Sequence, residues 1–104
     1  GEWYRQMKAY LEGNIAFVQD FIHREMPGIA LIEPEATYLL WLDFRALGLT
    51  EEEIESRMLQ KARLWLNNGS MFGPTGRGFQ RLNAACARPV LESAMERMKQ
   101  AFFA

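Results

Sequence analysis

From Glu2 to about Met26 the chain has no proline, and apolar residues return at helical spacing. Trp3, Met7, Leu11, Ile15, Val18 and Ile22 form one stripe, with Tyr10, Phe17 and Phe21 beside it. Gln6, Lys8, Glu12, Gln19 and Asp20 fill the opposite side, so the segment reads as one amphipathic helix. Pro27-Gly28 ends it, because proline disfavours helical geometry in the residue before it and removes a backbone donor. Such a helix is about twice the usual ~11–12 residues. It is expected to overhang a small body.

Strand patterns follow. Residues 29–32 are short and apolar, and Glu33-Pro34-Glu35 marks a turn. Residues 37–44 (TYLLWLDF) give the strongest strand pattern. Tyr38, Leu40, Leu42 and Phe44 go to one face, Leu39 and Trp41 to the other. Both faces are apolar, which a two-layer domain with a wet side does not require. Leu49-Thr50-Glu51-Glu52-Glu53-Ile54 then opens a helix: Thr50 caps the Glu53 amide, Glu53 reaches back, and Leu49 staples onto Ile54. Its expected buried stripe is Ile54, Met58, Leu59 and Ala62. Leu64-Trp65-Leu66 reads as a short strand, and residues 79–84 as another, with Phe79, Arg81 and Asn83 on one face. Pro89 suits the first position of a last helix, whose stripe is Leu91, Ala94, Met95, Met98 and Phe102. The order helix, strand, strand, helix, short strand, strand, helix fits an α+β two-layer domain with helices mainly on one face of a small sheet.

Composition narrows the function. At 104 residues and 12.0 kDa this is one small domain. With 12 Lys+Arg against 13 Asp+Glu, the net charge of −1 gives no pull toward nucleic acid or an anionic membrane. The single cysteine, Cys86, forms no internal disulfide, so a cytoplasmic location is expected. One His and one Cys do not fill a four-ligand zinc site, and no metal is expected. No apolar run reaches the ~18 residues of a membrane span. Gly1 stands where an initiating Met is usual. Together with the long helix and the two-sided strand, this raises the expectation of a piece of a larger protein.

Most candidate chemistry has a plainer explanation. His23 lies among Gln19, Arg24 and Glu25 and reads as a solvated surface histidine rather than a general base. Cys86 has no histidine nearby and reads as a small buried hydrophobe rather than a nucleophile. Glu51, Glu52 and Glu53 complement a helix dipole. The glycine loop at 73–78 is followed by a strand, whereas a phosphate cradle opens a helix. Arg77, Arg81 and Arg88 come without a basic surplus, so nucleic acid is not expected. Arg81 differs because it lies inside a predicted strand and needs a partner, an unpaired charge there costing several kcal/mol. That partner is either a structural carboxylate or a ligand carboxylate gripped by the guanidinium fork, and spacing alone does not choose.

The runs LNNGSMFG at 66–73 and GRGFQRLNAACAR at 76–88, then Leu91-Glu92, resemble the C-terminal end of pyridoxal-phosphate enzymes. More narrowly, they resemble the bacterial cystathionine β-lyase (C–S lyase) branch of the class I/II aminotransferase superfamily, as do EPEATYLLWLD at 33–43 and the Tyr10-Leu11-Glu12-Gly13-Asn14 run. Ala87 departs from the pattern, where a proline is usual. The resemblance implies that residues 1–104 are the small, C-terminal domain of a fold-type I enzyme, with a small, mostly antiparallel sheet. The large domain, carrying the cofactor pyridoxal 5′-phosphate and its Schiff-base lysine, would lie outside this chain. Lys8, Lys61 and Lys99 fall in predicted helices and read as surface residues. The chain alone is therefore expected to be catalytically silent, with no catalytic or cofactor-binding residue of its own.

The resemblance also implies site residues. The arginine matching Arg81 binds the α-carboxylate of an amino-acid substrate, with Asn83 supporting it from the same strand face. Met71 and Phe72 would line the mouth, with Ala36 and Thr37 near the substrate. The expected parent is a homodimeric enzyme performing β-elimination. An aminotransferase is the alternative, and a free-standing interaction module the third reading.

Overall fold

In a computed structural model, the structure describes residues 1–32, 39–64, 67–68 (backbone) and 77–103. Helix α1 spans Glu2–Glu25 (24 residues). Strands β1 (Ala30–Ile32) and β2 (Leu39–Asp43) follow, then a 3-10 turn at Arg45–Leu47 and helix α2 (Glu51–Gln60). Strands β3 (Asn67–Asn68) and β4 (Phe79–Asn83) lead into helix α3 (Arg88–Phe103). The strands form one antiparallel sheet in the order β1-β2-β4-β3, so the two five-residue strands lie at its centre. This is the two-layer α+β arrangement expected from the pattern.

The core lies between one sheet face and the helices. Leu40, Leu42, Phe44, Leu82 and Ala84 meet Val18, Phe21 and Ile22 of α1, Ile54 and Met58 of α2, and Leu91, Met95 and Met98 of α3. Strict alternation places Gln80 and Leu82 of β4 on this buried side and leaves Phe79, Arg81 and Asn83 on the other. The expected faces of β2 and β4 therefore hold across the described residues.

The capping box of α2 is complete. Glu53 N–H donates to Thr50 Oγ1 at 3.1 Å, and Thr50 N–H donates to Glu53 Oε1 at 2.9 Å. Full burial on α1 begins only at Leu11, with Met7 half-buried and Trp3 73%, Tyr4 55% and Tyr10 46% exposed, so the apolar stripe overhangs at its start as expected.

Three local expectations are corrected. Leu59 is exposed, because Ile54, Met58 and Ala62 already fill the inward face of α2 and its end. Leu64 is not in a strand: its N–H turns back to Met58 O at 2.8 Å, closing α2 beyond Arg63 at φ 57°, and β3 begins at Asn67. Trp65 and Leu66 lie outside the described residues. Pro89 is the second rather than the first residue of α3, a neighbouring first-turn site where its missing N–H is equally harmless. Cys86 is half-buried against the core, and His23 is exposed.

Candidate functional site

No described helix covers the second face of the sheet. Antiparallel register sets its rows: Leu39 opposite Asn83, Trp41 opposite Arg81, and Asp43 opposite Phe79. On the other flank of Arg81 stands Asn67 of β3, and Ile32 of β1 pairs with Trp41. Directly opposed residues on antiparallel strands have Cβ atoms ~4.5–5.5 Å apart, so Arg81 rises beside the indole-bearing position. Arg81 and Trp41 are each partly buried, and neither stands free. An arginine half-buried on a central strand, opposite an aromatic position, suits bidentate recognition of a carboxylate.

Asn83 shares this face but is exposed, and its Oδ1 accepts from Ala85 N–H at 2.8 Å. That bond turns the chain out of β4 and fixes the strand's end. Thr37, Phe72, Met71 and Ala36 lie outside the described residues.

At the other end of the face is an arrangement that the sequence reading missed. Arg45 donates through Nε to Asp43 Oδ1 at 3.0 Å and through Nη2 to Asp43 Oδ2 at 2.9 Å. Its guanidinium lies 4.8 Å from the Phe79 ring centre. Gly78, at φ +87°, lets the arginine pass: a Cβ there would stand 2.7 Å from Arg45 Cγ. The Asp-x-Arg spacing at 43 and 45 was the available signal. Asp43 ends β2 and Arg45 opens the 3-10 turn that follows, which brings the two side chains together.

The Arg45 hydrogen bonds hold the Asp43 carboxyl below the usual carboxylate range, and the Thr50 amide does the same for Glu53. A folded-state value below the unfolded one gives stability that is complete at neutral pH and is lost as pH falls through about 4 and lower. Thermal unfolding followed by tryptophan fluorescence should therefore show Tm falling across that acid range. Asp43→Asn should make the fall shallower; an unchanged slope would show that the pair contributes nothing to folding.

A shallow cavity of about 320 Å³ lies beyond this end, lined by Arg45, Leu49, Thr50, Glu51, Glu52, Arg77 and Gly78. It contains neither Arg81 nor Asn83. Among the described residues, no cluster of His, Cys, Asp or Glu is arranged to hold a metal ion, and no helix is long and apolar enough to cross a membrane.

No family model matches the chain. Cystathionine beta-lyase PatB of Bacillus subtilis is 40% identical over 101 residues, covering 97% of this chain and 26% of its own length. Protein MalY of Escherichia coli is 31% identical over 93 residues, covering 89% of this chain and 24% of its own. Among solved structures, a PLP-bound protein of Clostridium difficile 630 named as an aminotransferase superposes with TM-score 0.93 at 47% identity, over 98% of this chain and 26% of that one. Cystalysin of Treponema denticola, which contains pyridoxal 5′-phosphate, superposes with TM-score 0.90 at 35% identity, over 97% and 26%. The chain thus spans about a quarter of the length of the curated relatives it matches. Its three helices and antiparallel sheet match the small domain of fold-type I structures. The 104 residues are homologous to the C-terminal quarter of the fold-type I pyridoxal-phosphate enzymes, in their cystathionine β-lyase (C–S lyase) branch.

Proposed function

We propose that this chain is the small domain of a pyridoxal-phosphate C–S lyase and supplies Arg81 as the clamp for the α-carboxylate of an amino-acid substrate. The observation that carries the proposal is the position of Arg81, half-buried at the centre of the sheet face that no described helix covers. Two parallel N–H···O bonds from a guanidinium fix both the place and the rotation of a carboxylate, which a single ammonium does not. The fixed rotation is what lets one chosen bond at Cα be the one that breaks.

The residues of this chain do not fit as the cofactor's anchor. Lys8 and Lys61 are exposed on α1 and at the end of α2, and Lys99 on α3 is paired with Glu25 at 3.0 Å. All three belong to the helix layer, on the opposite side of the sheet from Arg81. The cofactor, its lysine and the proton-transfer groups are therefore assigned to a large domain of the longer polypeptide, functioning as a homodimer. The 104 residues by themselves are silent.

The aminotransferase reading also has support, since Aspartate aminotransferase of Pyrococcus horikoshii is 31% identical over 75% of this chain. The full-length enzyme separates the two. A C–S lyase given cystathionine releases pyruvate, ammonia and a thiol without an amino acceptor. An aminotransferase sustains keto-acid formation beyond one equivalent only when an acceptor is present. Pyruvate release is the expected result, and acceptor-dependent turnover alone would overturn it. The purified 104-residue chain mixed with the cofactor should show no protein-bound absorbance band.

A further inference from the structure

Asn14 is fully buried in the middle of α1, where an apolar residue would pack the core without polar partners. Its Nδ2 donates to Ala84 O at 2.8 Å and to Cys86 O at 2.9 Å. Its Oδ1 accepts from Arg88 Nε at 2.6 Å. Both amide protons of Asn14 are thereby used, and both go to the segment that leaves β4. Arg88 completes the junction. Its backbone N–H donates to Tyr10 Oη at 2.6 Å, capping the start of α3 from another helix. Its guanidinium lies 5.9 Å from the Tyr10 ring centre and 5.7 Å from that of Phe17. At Gly13 a Cβ would stand 3.0 Å from Arg88 Nη2, so any larger residue there would press on the guanidinium.

This network grips the carbonyls of residues 84 and 86, directly after the strand that carries Arg81 and Asn83. Strand register is the quantity at stake. A slip of β4 by one residue would turn Arg81 into the core and Gln80 onto the open face. The directional hydrogen bonds of buried Asn14 favour one arrangement, whereas apolar packing tolerates several. We propose that Asn14 and Arg88 are positioning residues, which hold the end of β4 so that Arg81 meets a ligand carboxylate in bidentate geometry. The proposal rests on the carboxylate role given above to Arg81.

The test uses the full-length, cofactor-loaded protein and two probes, L-alanine and ethylamine, which differ by the carboxylate. Their dissociation constants are read from the change in cofactor absorbance, and the ethylamine-to-alanine ratio measures carboxylate recognition. Asn14→Asp keeps the acceptor for Arg88 but sets a carboxylate against two carbonyls. It should lower that ratio roughly tenfold while leaving ethylamine binding unchanged. Arg88→Lys, which keeps charge but loses the Nε bond, should lower it in the same direction and preserves the test where Asn14→Asp fails to fold. Combined with Arg81→Ala, neither change should reduce the ratio further. Equal weakening of both probes, or a fall in Tm with the ratio intact, would overturn the positioning role. Should Arg81→Ala leave the ratio intact, the carboxylate role of Arg81 itself falls. If Arg81→Ala collapses the ratio and the Asn14 and Arg88 variants do not, the positioning role alone is lost.

Discussion

Arg81→Lys in the full-length enzyme should lower kcat/KM on α-amino acids by about 2–4 kcal/mol, roughly 30- to 1,000-fold. The loss arises because lysine keeps the charge but not the fork. A carboxylate held by one ammonium retains a rotation that the guanidinium removes, so productive geometry becomes rarer as binding weakens. Both kcat and KM should therefore worsen. The central placement of Arg81 in β4, paired with Trp41 on one side and Asn67 on the other, leaves no slack for the shorter side chain to recover the contact. Steady-state kinetics with cystathionine checks this, and an unchanged kcat/KM would remove Arg81 from the site.

Phe44→Ala should destabilise the fold by about 3–5 kcal/mol, the range for emptying a buried aromatic position. Phe44 is fully buried just after β2, and its ring lies 5.0 Å from that of Phe102 on α3. Its backbone N–H donates to Gly78 O at 2.9 Å, at the start of β4. One residue thus ties the end of the central strand pair, through its backbone, to the last turn of α3, through its ring. Against a typical domain stability of ~5–15 kcal/mol, the change removes a large fraction. Urea titration measures it through a lower midpoint at an unchanged slope; a shift below ~1 kcal/mol would mean that the cavity collapses freely.

The sequence was most legible where one local pattern had one physical meaning. The period of α1, the alternation of β4 and the Thr50–Glu53 box each predict what is found, because each is decided within a few residues. The placement of Arg81 on a strand face was readable in the same way. What it faces was not: the rows Trp41–Arg81 and Asp43–Phe79 depend on a register between segments about forty residues apart. Local pattern also overstated the apolar stripe at Leu59, which lies beside the inward face that Ile54, Met58 and Ala62 already fill. Asn14 shows the opposite failure. Among Leu11, Ile15 and Val18 it reads as a polar interruption, and its meaning appears only when the carbonyls of Ala84 and Cys86 arrive beside it. Arg88, weighed as a nucleic-acid contact and set aside, proves to be its partner.

The bonds that close the Asn14 junction join residues 70, 72 and 74 positions apart, and the Tyr10 cap joins residues 78 apart. During synthesis, α1 leaves the ribosome before the rest of these 104 residues, with a buried-to-be asparagine in its apolar stripe and none of its partners yet made. The helix has no final docking site until β4 and the first turn of α3 emerge. The order of synthesis therefore sets the order of assembly, with the junction postponed until residues 84–88 have emerged and folding slowed by contacts of such long range.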